Sequence, residues 1–257
     1  MSRIIAIVNQ KGGVGKTTST INIGSALVRS GKRVLLVDAD AQGSLSISAG
    51  MDEQTLETGL TTAEVLLENV SIADAIRVNV CSGFDLLPAD IRLSAADLRL
   101  VNVPGRELIL RDALEEVEQA YDYILIDCPP NLSLTALNAL AAAHELIIPV
   151  QAHFLAVGGL SLLLDTIKLM KRLNPNLKIA GVLLTMYDGR TNHAKEISAQ
   201  VKEFFGDKVF NTVIRANISL ADAPAQGMDI FQYAPRSNGS ADYTALCVEI
   251  VNQEGNQ

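Results

Sequence analysis

Residues Asn9–Thr18 have the sequence NQKGGVGKTT, which is the most informative segment of the chain. It follows an apolar run at Ile4–Val8 and leads into a segment with helical character at Lys16–Arg29. A glycine-rich loop between a buried strand and a helix directs backbone N–H groups, and the positive end of the helix dipole, toward one point. The stretch therefore predicts a phosphate-binding loop, in which Lys16 reaches the β- and γ-phosphates and the Thr17 hydroxyl ligates Mg²⁺.

Apolar runs and helical patterns alternate along the rest of the chain. The further runs are Arg33–Asp38, Phe84–Leu87, Tyr123–Asp127, Glu145–Val150 and Ile179–Leu184. Helical spacing of apolar residues appears at Leu110, Ala113, Leu114 and Val117, and again at Leu160, Leu163, Leu164 and Ile167. Runs that are apolar throughout are typical of parallel strands covered on both faces. We expect an α/β fold of the P-loop NTPase kind, a doubly wound, mostly parallel sheet with helices on both faces.

Composition sets the broad class of protein. The 257 residues are 48% hydrophobic and 19% charged, which suits one domain over residues 1–257 with a flexible polar tail at about 252–257. No apolar run reaches the ~18 residues of a membrane span, and the N-terminus lacks the features of a signal peptide. Cys81, Cys128 and Cys247 form neither a disulfide framework nor a metal cluster. We expect a cytoplasmic protein whose net charge of −8 disfavours general nucleic-acid coating but permits a local basic patch.

Three aspartates extend the phosphate site. Asp38 ends one apolar run, Asp40 follows two residues later, and Asp127 ends another run. Residues at the carboxyl ends of parallel strands line the ligand crevice of an open α/β sheet. An acid in the position of Asp127 is the Walker-B arrangement, which holds the metal through water. Of Asp38 and Asp40, we expect one to support the metal shell and the other to position the attacking water.

These motifs resemble the ParA/Soj/MinD family of deviant Walker-A ATPases, and the ParA/Soj branch in particular. The resemblance rests on KGGVGKTT, RVLLVDADAQGS, YDYILIDCPPNLSLTALNAL, IPVQAHFLAVGGL and GVLLTMYDGRTN, which begin at Lys11, Arg33, Tyr121, Ile148 and Gly181. It covers nearly the whole chain, and the Lys-Gly-Gly loop is specific to the family. With no added DNA-binding domain before the first strand, the chain is similar to the short type of ParA.

The resemblance implies an ATPase that uses ATP and Mg²⁺, forms a face-to-face homodimer with ATP and then binds DNA without sequence preference. A ParB-like partner would stimulate its slow hydrolysis. It implies that Asp40 is required for hydrolysis, that Asp38 and Asp127 serve the metal with Thr17, and that Met186 and Pro224 lie near the adenine. The loop residues expected at the nucleotide are Lys11, Gly12, Gly13, Val14, Gly15, Lys16, Thr17 and Thr18.

The resemblance also gives a role to the second lysine of the loop. Gln10 stands where an ordinary phosphate loop has glycine, and Lys11 precedes Lys16 by five residues. Two lysines in one small loop repel each other unless a polyanion lies between or beside them. We hypothesise that Lys11 reaches the phosphates of the other subunit and supplies positive charge in trans, so that the site is completed only in the dimer.

The family pattern weakens in the segment VIRANISLADAP, which begins at Val213. Relatives often carry arginines for DNA contact where this chain has Ala216 and Ser219, and Arg215 stands where proline is usual. Ala41 likewise replaces a common proline. The basic residues left as candidates for nucleic-acid contact are Arg190, Lys195, Lys202, Lys208, Arg215 and Arg236, and each is otherwise a solvated surface charge.

Particular features of the sequence disfavour other functions. A MinD-like positioning ATPase acting on a membrane or a protein cargo would have a basic amphipathic C-terminal helix, but no Lys or Arg follows Arg236. A nitrogenase-reductase-like carrier would need a second cysteine placed to ligate a cluster, and a small-molecule kinase or synthetase an acceptor pocket. A non-enzymatic nucleotide-binding module is disfavoured because Lys16, Asp40 and Asp127 are all present.

Overall fold

The computed structural model describes residues 2–152, 164–165 and 167–253. Its centre is one seven-stranded sheet with the strand order β3-β4-β2-β5-β1-β6-β7. All neighbouring pairs are parallel except β3 and β4. The strands are β1 (Arg3–Ile7), β2 (Val34–Asp38), β3 (Arg77–Val80), β4 (Phe84–Leu87), β5 (Tyr123–Asp127), β6 (Glu145–Gln151) and β7 (Lys178–Thr185).

The helices follow the strands in the order expected of a doubly wound fold. They are α1 (Lys16–Arg29), α2 (Ser44–Ser48), α3 (Glu53–Thr58), α4 (Thr62–Glu68), α5 (Ile72–Ala75), α6 (Ala96–Arg99), α7 (Ile109–Glu115), α8 (Leu134–Ala142), α9 (Asn192–Phe205), α10 (Ile218–Asp222), α11 (Ile230–Tyr233) and α12 (Asn238–Asn252). Residues 167–170 are also helical. The described residues also include 3₁₀ turns at Ile91–Ala95, Glu118–Ala120, Gly206–Lys208 and Ala223–Gln226.

The strands are apolar throughout because each of their two faces belongs to a separate core. In β1, Ile4 and Ala6 pack into one cluster, whereas Ile5 and Ile7 pack into the other. The first cluster takes side chains from α4, α7, α8 and α9, and the second from α1, α2, α11 and α12. Successive residues of a strand point to opposite faces, so continuous apolar runs mark a sheet that is covered on both sides. The expected fold class is confirmed.

The sequence places six of the seven described strands, and helices α1 and α7, to within one or two residues. Lys16–Arg29 forms α1 with the expected bounds, and the run expected at Ile4–Val8 is β1 at Arg3–Ile7. The helix expected around Leu110 is α7. The helical spacing at Leu160 and Leu163 lies outside the described residues. Strand β3 was not anticipated, because it pairs antiparallel to β4 at the sheet edge and its middle residues are exposed.

The C-terminal helix is docked into the core. Tyr243, Leu246 and Ile250 of α12 are buried in the cluster that also holds α1. Gln253, which was expected in the flexible tail, makes two contacts with the rest of the protein: Arg3 donates to its Oε1 at 3.0 Å, and its Nε2 donates to the Ala180 carbonyl. Residues 254–257 lie outside the described part. Within that part, no helix combines the length and apolarity that crossing a bilayer requires.

Candidate functional site: a phosphate loop beside two buried aspartates

The loop after β1 has the backbone of a phosphate cradle. Gly13 and Gly15 have φ angles of 70° and 86°, in the left-handed region that residues with a Cβ rarely adopt. Helix α1 begins directly after Gly15 with no side-chain cap and no acidic residue in its first turn, among the residues described. The N–H groups at its start therefore face the loop together with the positive end of the helix dipole, as an anion site requires. Val14 anchors the loop, because it is buried and its carbonyl accepts a 2.8 Å bond from Thr185 Oγ1.

Lys16 lies inside the loop, as predicted. Its side chain is largely buried, and Nζ donates to the backbone carbonyl of Lys11 at 3.2 Å. Burial lowers the pKa of Lys16, and the negative charges of Asp127 and Asp40 oppose that shift. A lysine held this close to carboxylates in the protein interior is positioned to neutralise phosphate charge.

Asp127 and Asp38 lie side by side at the carboxyl edge of the sheet, where they are register partners of β5 and β2. Thr17 Oγ1 donates to Asp127 Oδ2 at 2.7 Å, so the two predicted metal residues are already in contact. Burial raises the pKa of both carboxyls, and the charge of Asp38 adds to the shift of Asp127. Buried carboxylates with raised pKa values are stabilised by a cation, and hydroxyl and carboxylate oxygens are the ligands that Mg²⁺ prefers. The residues present therefore fit the metal that the loop implies.

Asp38 and Asp40 have different surroundings. Asp38 is fully buried, where Oδ2 accepts from the Ser46 amide at 2.9 Å and the Ser46 hydroxyl at 2.7 Å. Asp40 is partly exposed, and its Oδ1 accepts from the Gln42 amide at 3.0 Å. The Asp40 amide in turn donates to Asp38 Oδ1 at 3.1 Å. Asp38 thus fixes the backbone that carries Asp40, and Asp40 is the carboxylate of the pair that solvent can reach.

Lys11 is held by other contacts than Lys16. Its Nζ lies 3.5 Å from Gln151 Oε1 at the end of β6, and its backbone amide donates to Asn9 Oδ1 at 2.9 Å. Asn9 is buried, and its Nδ2 donates to the Pro149 carbonyl at 2.7 Å. Both the backbone and the half-buried side chain of Lys11 are therefore linked to β6.

A cavity of about 120 Å³ adjoins the phosphate loop. Its walls include Gly15 and Thr18 from the loop and Met186 from the end of β7, as expected of a nucleoside pocket. Met186 has a φ angle of 51°, an unusual backbone state for a residue with a side chain. Pro224, which was also expected near the adenine, is not among the residues that line this cavity and lies in the 3₁₀ segment Ala223–Gln226. The remaining wall residues, which sequence reasoning missed, are Thr185, Ile214, Arg215, Asn217, Leu220, Ala221 and Tyr243.

Two further site residues were missed. Thr20 Oγ1 lies 3.3 Å from Asp127 Oδ1, and Ser46 holds Asp38. Thr20 stands three positions after Thr17 on the same helix face, and this spacing could have revealed it. Ser46 carries no comparable signal, because its contact depends on the short helix α2 turning back onto β2.

The candidate basic residues are exposed but not equivalent. Arg215 forms a salt bridge with Asp242 at 2.6 Å, and Arg190 forms one with Asp188 at 2.8 Å. Lys195 and Lys202 lie seven residues apart on the exposed face of α9, whose other face buries Ala194, Ile197 and Val201. Arg236 is exposed in the turn before α12. The structure thus places Lys195 and Lys202 on one helix face. It pairs Arg190 and Arg215 each with a carboxylate.

Comparison with known proteins agrees with this geometry. The AAA domain family model matches residues 2–179. The sporulation initiation inhibitor protein Soj of Bacillus subtilis is 46% identical over 98% of this chain and 99% of its own. The chain belongs to the ParA/Soj family of partitioning ATPases. Another ParA/Soj relative, the chromosome-partitioning ATPase Soj of Treponema pallidum, is 45% identical over 99% of both chains.

Solved structures place the nucleotide chemistry on this fold. A structure described as cobyrinic acid a,c-diamide synthase from Mycobacterium smegmatis, with bound ADP and magnesium, matches with a TM-score of 0.85 and 37% identity. The match covers 96% of this chain and 93% of that one. Nucleotide and magnesium are therefore used by proteins of this fold that resemble the chain over nearly its full length, and the ParA/Soj family that includes this chain is one of P-loop ATPases.

Proposed function

We propose that this protein is an ATP-dependent dimerising switch for DNA partitioning, with slow hydrolysis of ATP to ADP and phosphate that a ParB-like partner stimulates. The observation that carries the proposal is the separation of the two loop lysines. Lys16 is buried near Asp127, whereas Lys11 is half-buried with its Nζ next to Gln151. A half-buried lysine of the loop can serve phosphates presented from outside the protomer. The similarity to partitioning ATPases supports the same reading.

Each of the other site residues would have its own role in binding ATP or in its hydrolysis. Thr17, Asp38 and Asp127 would hold Mg²⁺ and its water shell, and when bound the metal would neutralise charge on the β- and γ-phosphates. Asp40, which is partly exposed at the end of β2, would orient the attacking water. Lys16 and the loop amides would stabilise the transferring phosphoryl group. In the cavity, Met186 and Asn217 would enclose the base.

A metabolic synthase is the alternative that the Mycobacterium smegmatis structure raises. The chain shares 37% of its residues with that protein and 46% with the Bacillus subtilis Soj protein. A fold shared by several chemistries does not select among them, so the greater likeness to partitioning ATPases supports the switch.

DNA binding completes the proposed cycle. The ATP-bound dimer would present both copies of the α9 face with Lys195 and Lys202, with Arg190, Arg215 and Arg236 as further candidates. Such contacts to phosphate carry no sequence information and weaken with salt. The protein would accordingly be cytoplasmic and would associate with the nucleoid while ATP is bound.

The test of the switch is Lys11→Ala. We expect a variant that still binds ATP through Lys16 but no longer forms an ATP-dependent dimer, with turnover lowered roughly 10²-fold, as loss of a charge at a transferring phosphoryl group does. Sedimentation with ATP and with ADP measures dimerisation, and phosphate release measures turnover. Lys171→Ala, an exposed lysine outside the loop, is the matched control. Unchanged dimerisation and turnover in Lys11→Ala would overturn the proposal.

A further inference from the structure

The cavity beside the phosphate loop and the segment that carries Asp40 are joined by a contact between two glycines. Gly50 follows α2, and Gly227 follows the 3₁₀ turn Ala223–Gln226. A Cβ built at Gly227 would lie 2.6 Å from the Cα atom of Gly50, and one built at Gly50 would lie 3.2 Å from the Gly227 carbonyl oxygen. The two backbones therefore touch with no side chain between them.

On one side, the glycine contact leads to the aspartates at the end of β2. The Gly50 amide donates to the Ile47 carbonyl at 2.9 Å and so belongs to the last turn of α2. In that helix, the amide and the hydroxyl of Ser46 both donate to Asp38, whose other oxygen accepts from the Asp40 amide. Because α2 has only five residues, a displacement of Gly50 reaches Ser46 within about one turn. Asp40 is therefore linked by hydrogen bonds to the end of α2.

On the other side, the glycine contact leads to the wall of the cavity. Leu220 and Ala221 line the cavity from α10, which runs directly into the 3₁₀ turn before Gly227. The Gly227 amide donates to the Pro224 carbonyl at 3.0 Å, so this glycine is bonded to the turn. Leu220 also packs closely on α12, since a Cβ at Gly239 would lie 2.9 Å from its Cγ atom. A group that fills the cavity therefore meets a tightly packed wall that continues to Gly227.

The chain that follows Gly227 is fixed to helix α1. Asp229 is fully buried, and its Oδ2 accepts from the Ser25 hydroxyl at 2.9 Å. The amide of Ile230 donates to Asn22 Oδ1 at 2.8 Å. Buried hydrogen bonds of this kind are costly to break. A change in the cavity wall is therefore passed on to Gly50, because the segment after Gly227 is held in place and cannot absorb it.

We propose that Gly50 and Gly227 are positioning residues that couple a base bound in this cavity to the orientation of Asp40. Full hydrolysis then requires a whole nucleoside triphosphate, although the phosphate loop by itself would accept other polyphosphates. Both positions need glycine, since their φ angles are 89° and 62° and the two backbones touch. The inference rests on the proposed function, which places the base in the cavity and the attacking water at Asp40.

The first experiment follows backbone amide signals by NMR in the full chain with adenosine, which carries the base and the sugar but no phosphate. We expect adenosine to shift the signals of Ala221 and Gly227 on the cavity side. The signals of Gly50 and Ser46 should shift as well, because the glycine contact passes the change to α2. The amide of Gly31, a glycine with a φ angle of 84° and open space at its Cβ position, should stay in place. Shifts that stop at Gly227, or no shifts at all, would overturn the coupling.

A substitution tests whether the coupling affects hydrolysis. In Gly50→Ala the new Cβ would lie 3.2 Å from the Gly227 carbonyl oxygen, so the two segments must separate by a few tenths of an ångström. We expect kcat for ATP to fall about tenfold and KM to stay within about twofold, because Asp40 moves while the phosphate loop and the cavity keep their residues. Gly31→Ala is the matched control, since it has the same kind of backbone strain without a close neighbour. It should lower the melting temperature similarly but keep kcat, and equal kcat values in the two variants would overturn the coupling.

The wild-type sample also separates the coupling from the switch. Sedimentation with Mg²⁺ and a non-hydrolysable ATP analogue reports dimerisation, which a coupling within one protomer does not require. A chain that dimerises with the analogue but shows no adenosine shift at Gly50 and Ser46 would refute the coupling and leave the switch standing. A chain that never dimerises but shows the adenosine shifts as far as Ser46 would refute the switch instead.

Discussion

The phosphate loop and the exposed face of α9 both carry lysines, but the two regions hold them in opposite ways. Lys16 is buried and lies against the Lys11 carbonyl near Asp127, in a site that strands and helix α1 fix in place. Lys195 and Lys202 project from an exposed helix face. Burial in the loop restricts Lys16 to one chemical role, whereas the exposed lysines of α9 give only a diffuse attraction for negative charge. Replacing one lysine should therefore have a severe effect in the loop and a graded effect on α9.

The largest effect is expected from Lys16→Ala. Removing the buried cation should lower ATP turnover by roughly 10²- to 10³-fold, because its charge stabilises the transferring phosphoryl group. Phosphate release at saturating Mg²⁺ and ATP measures the loss, and Lys171→Ala controls for the loss of an exposed lysine. Turnover within a few-fold of wild type in Lys16→Ala would contradict the expected difference between the phosphate loop and the α9 face.

The pair Lys195→Glu and Lys202→Glu should have a graded effect. We expect the affinity of the ATP-bound protein for duplex DNA to fall by about tenfold at low salt, with a shallower dependence on salt concentration as phosphate contacts are lost. ATP turnover without DNA should stay at its wild-type value. Binding is measured by fluorescence anisotropy over a salt series, and Lys171→Glu with Lys178→Glu is the control pair. Unaltered affinity and salt dependence would remove α9 from the DNA-binding surface.

Arg215→Ala tests an intermediate case, because Arg215 is partly exposed like the α9 lysines but lies beside the loop like Lys16. It lines the cavity next to the phosphate loop and also pairs with Asp242, whose side chain is 9% exposed. Its loss should lower the free energy of unfolding by about 1 kcal/mol, since Asp242 keeps one bond from the Arg215 amide but loses the guanidinium. Urea unfolding measures the change. Asp242→Asn removes the same charge pair from the other side, so a stability loss in Arg215→Ala without one in Asp242→Asn would contradict the explanation.

The smallest effect concerns an exposed pair outside both regions. Arg33 holds the pKa of Asp122 down at about 2, chiefly through their side-chain hydrogen bond. Because the folded-state pKa lies below the unfolded value, this pair contributes stability above pH ~4 that is lost as the pH falls toward 2. Asp122→Asn should therefore slightly flatten the acid limb of a plot of melting temperature against pH. The wild type and Asp122→Asn having identical acid limbs would show that solvent screens the pair fully.

The sequence predicts those parts of the fold that are determined by residues close together in the chain. The loop glycines, the apolar strands and the strand-end aspartates each have their own physical requirement, and all are where the sequence places them. The cavity walls are different, because Thr185, Asn217 and Tyr243 come together only through the order of the strands. The carboxylate partners of Arg190 and Arg215 likewise depend on loop geometry that periodicity does not encode.

Tyr243 links α12, the last helix of the described residues, to the cavity beside the phosphate loop. Its hydroxyl is 3.1 Å from Ser19 Oγ on α1, and its side chain also lines that cavity. If a nucleoside fills the cavity as proposed, part of the binding energy is shared with α12, and we expect the amides of this helix to exchange with deuterium more slowly when nucleotide is bound. A truncation before Tyr243 would remove one wall of this cavity although it cuts the chain more than two hundred residues after the phosphate loop.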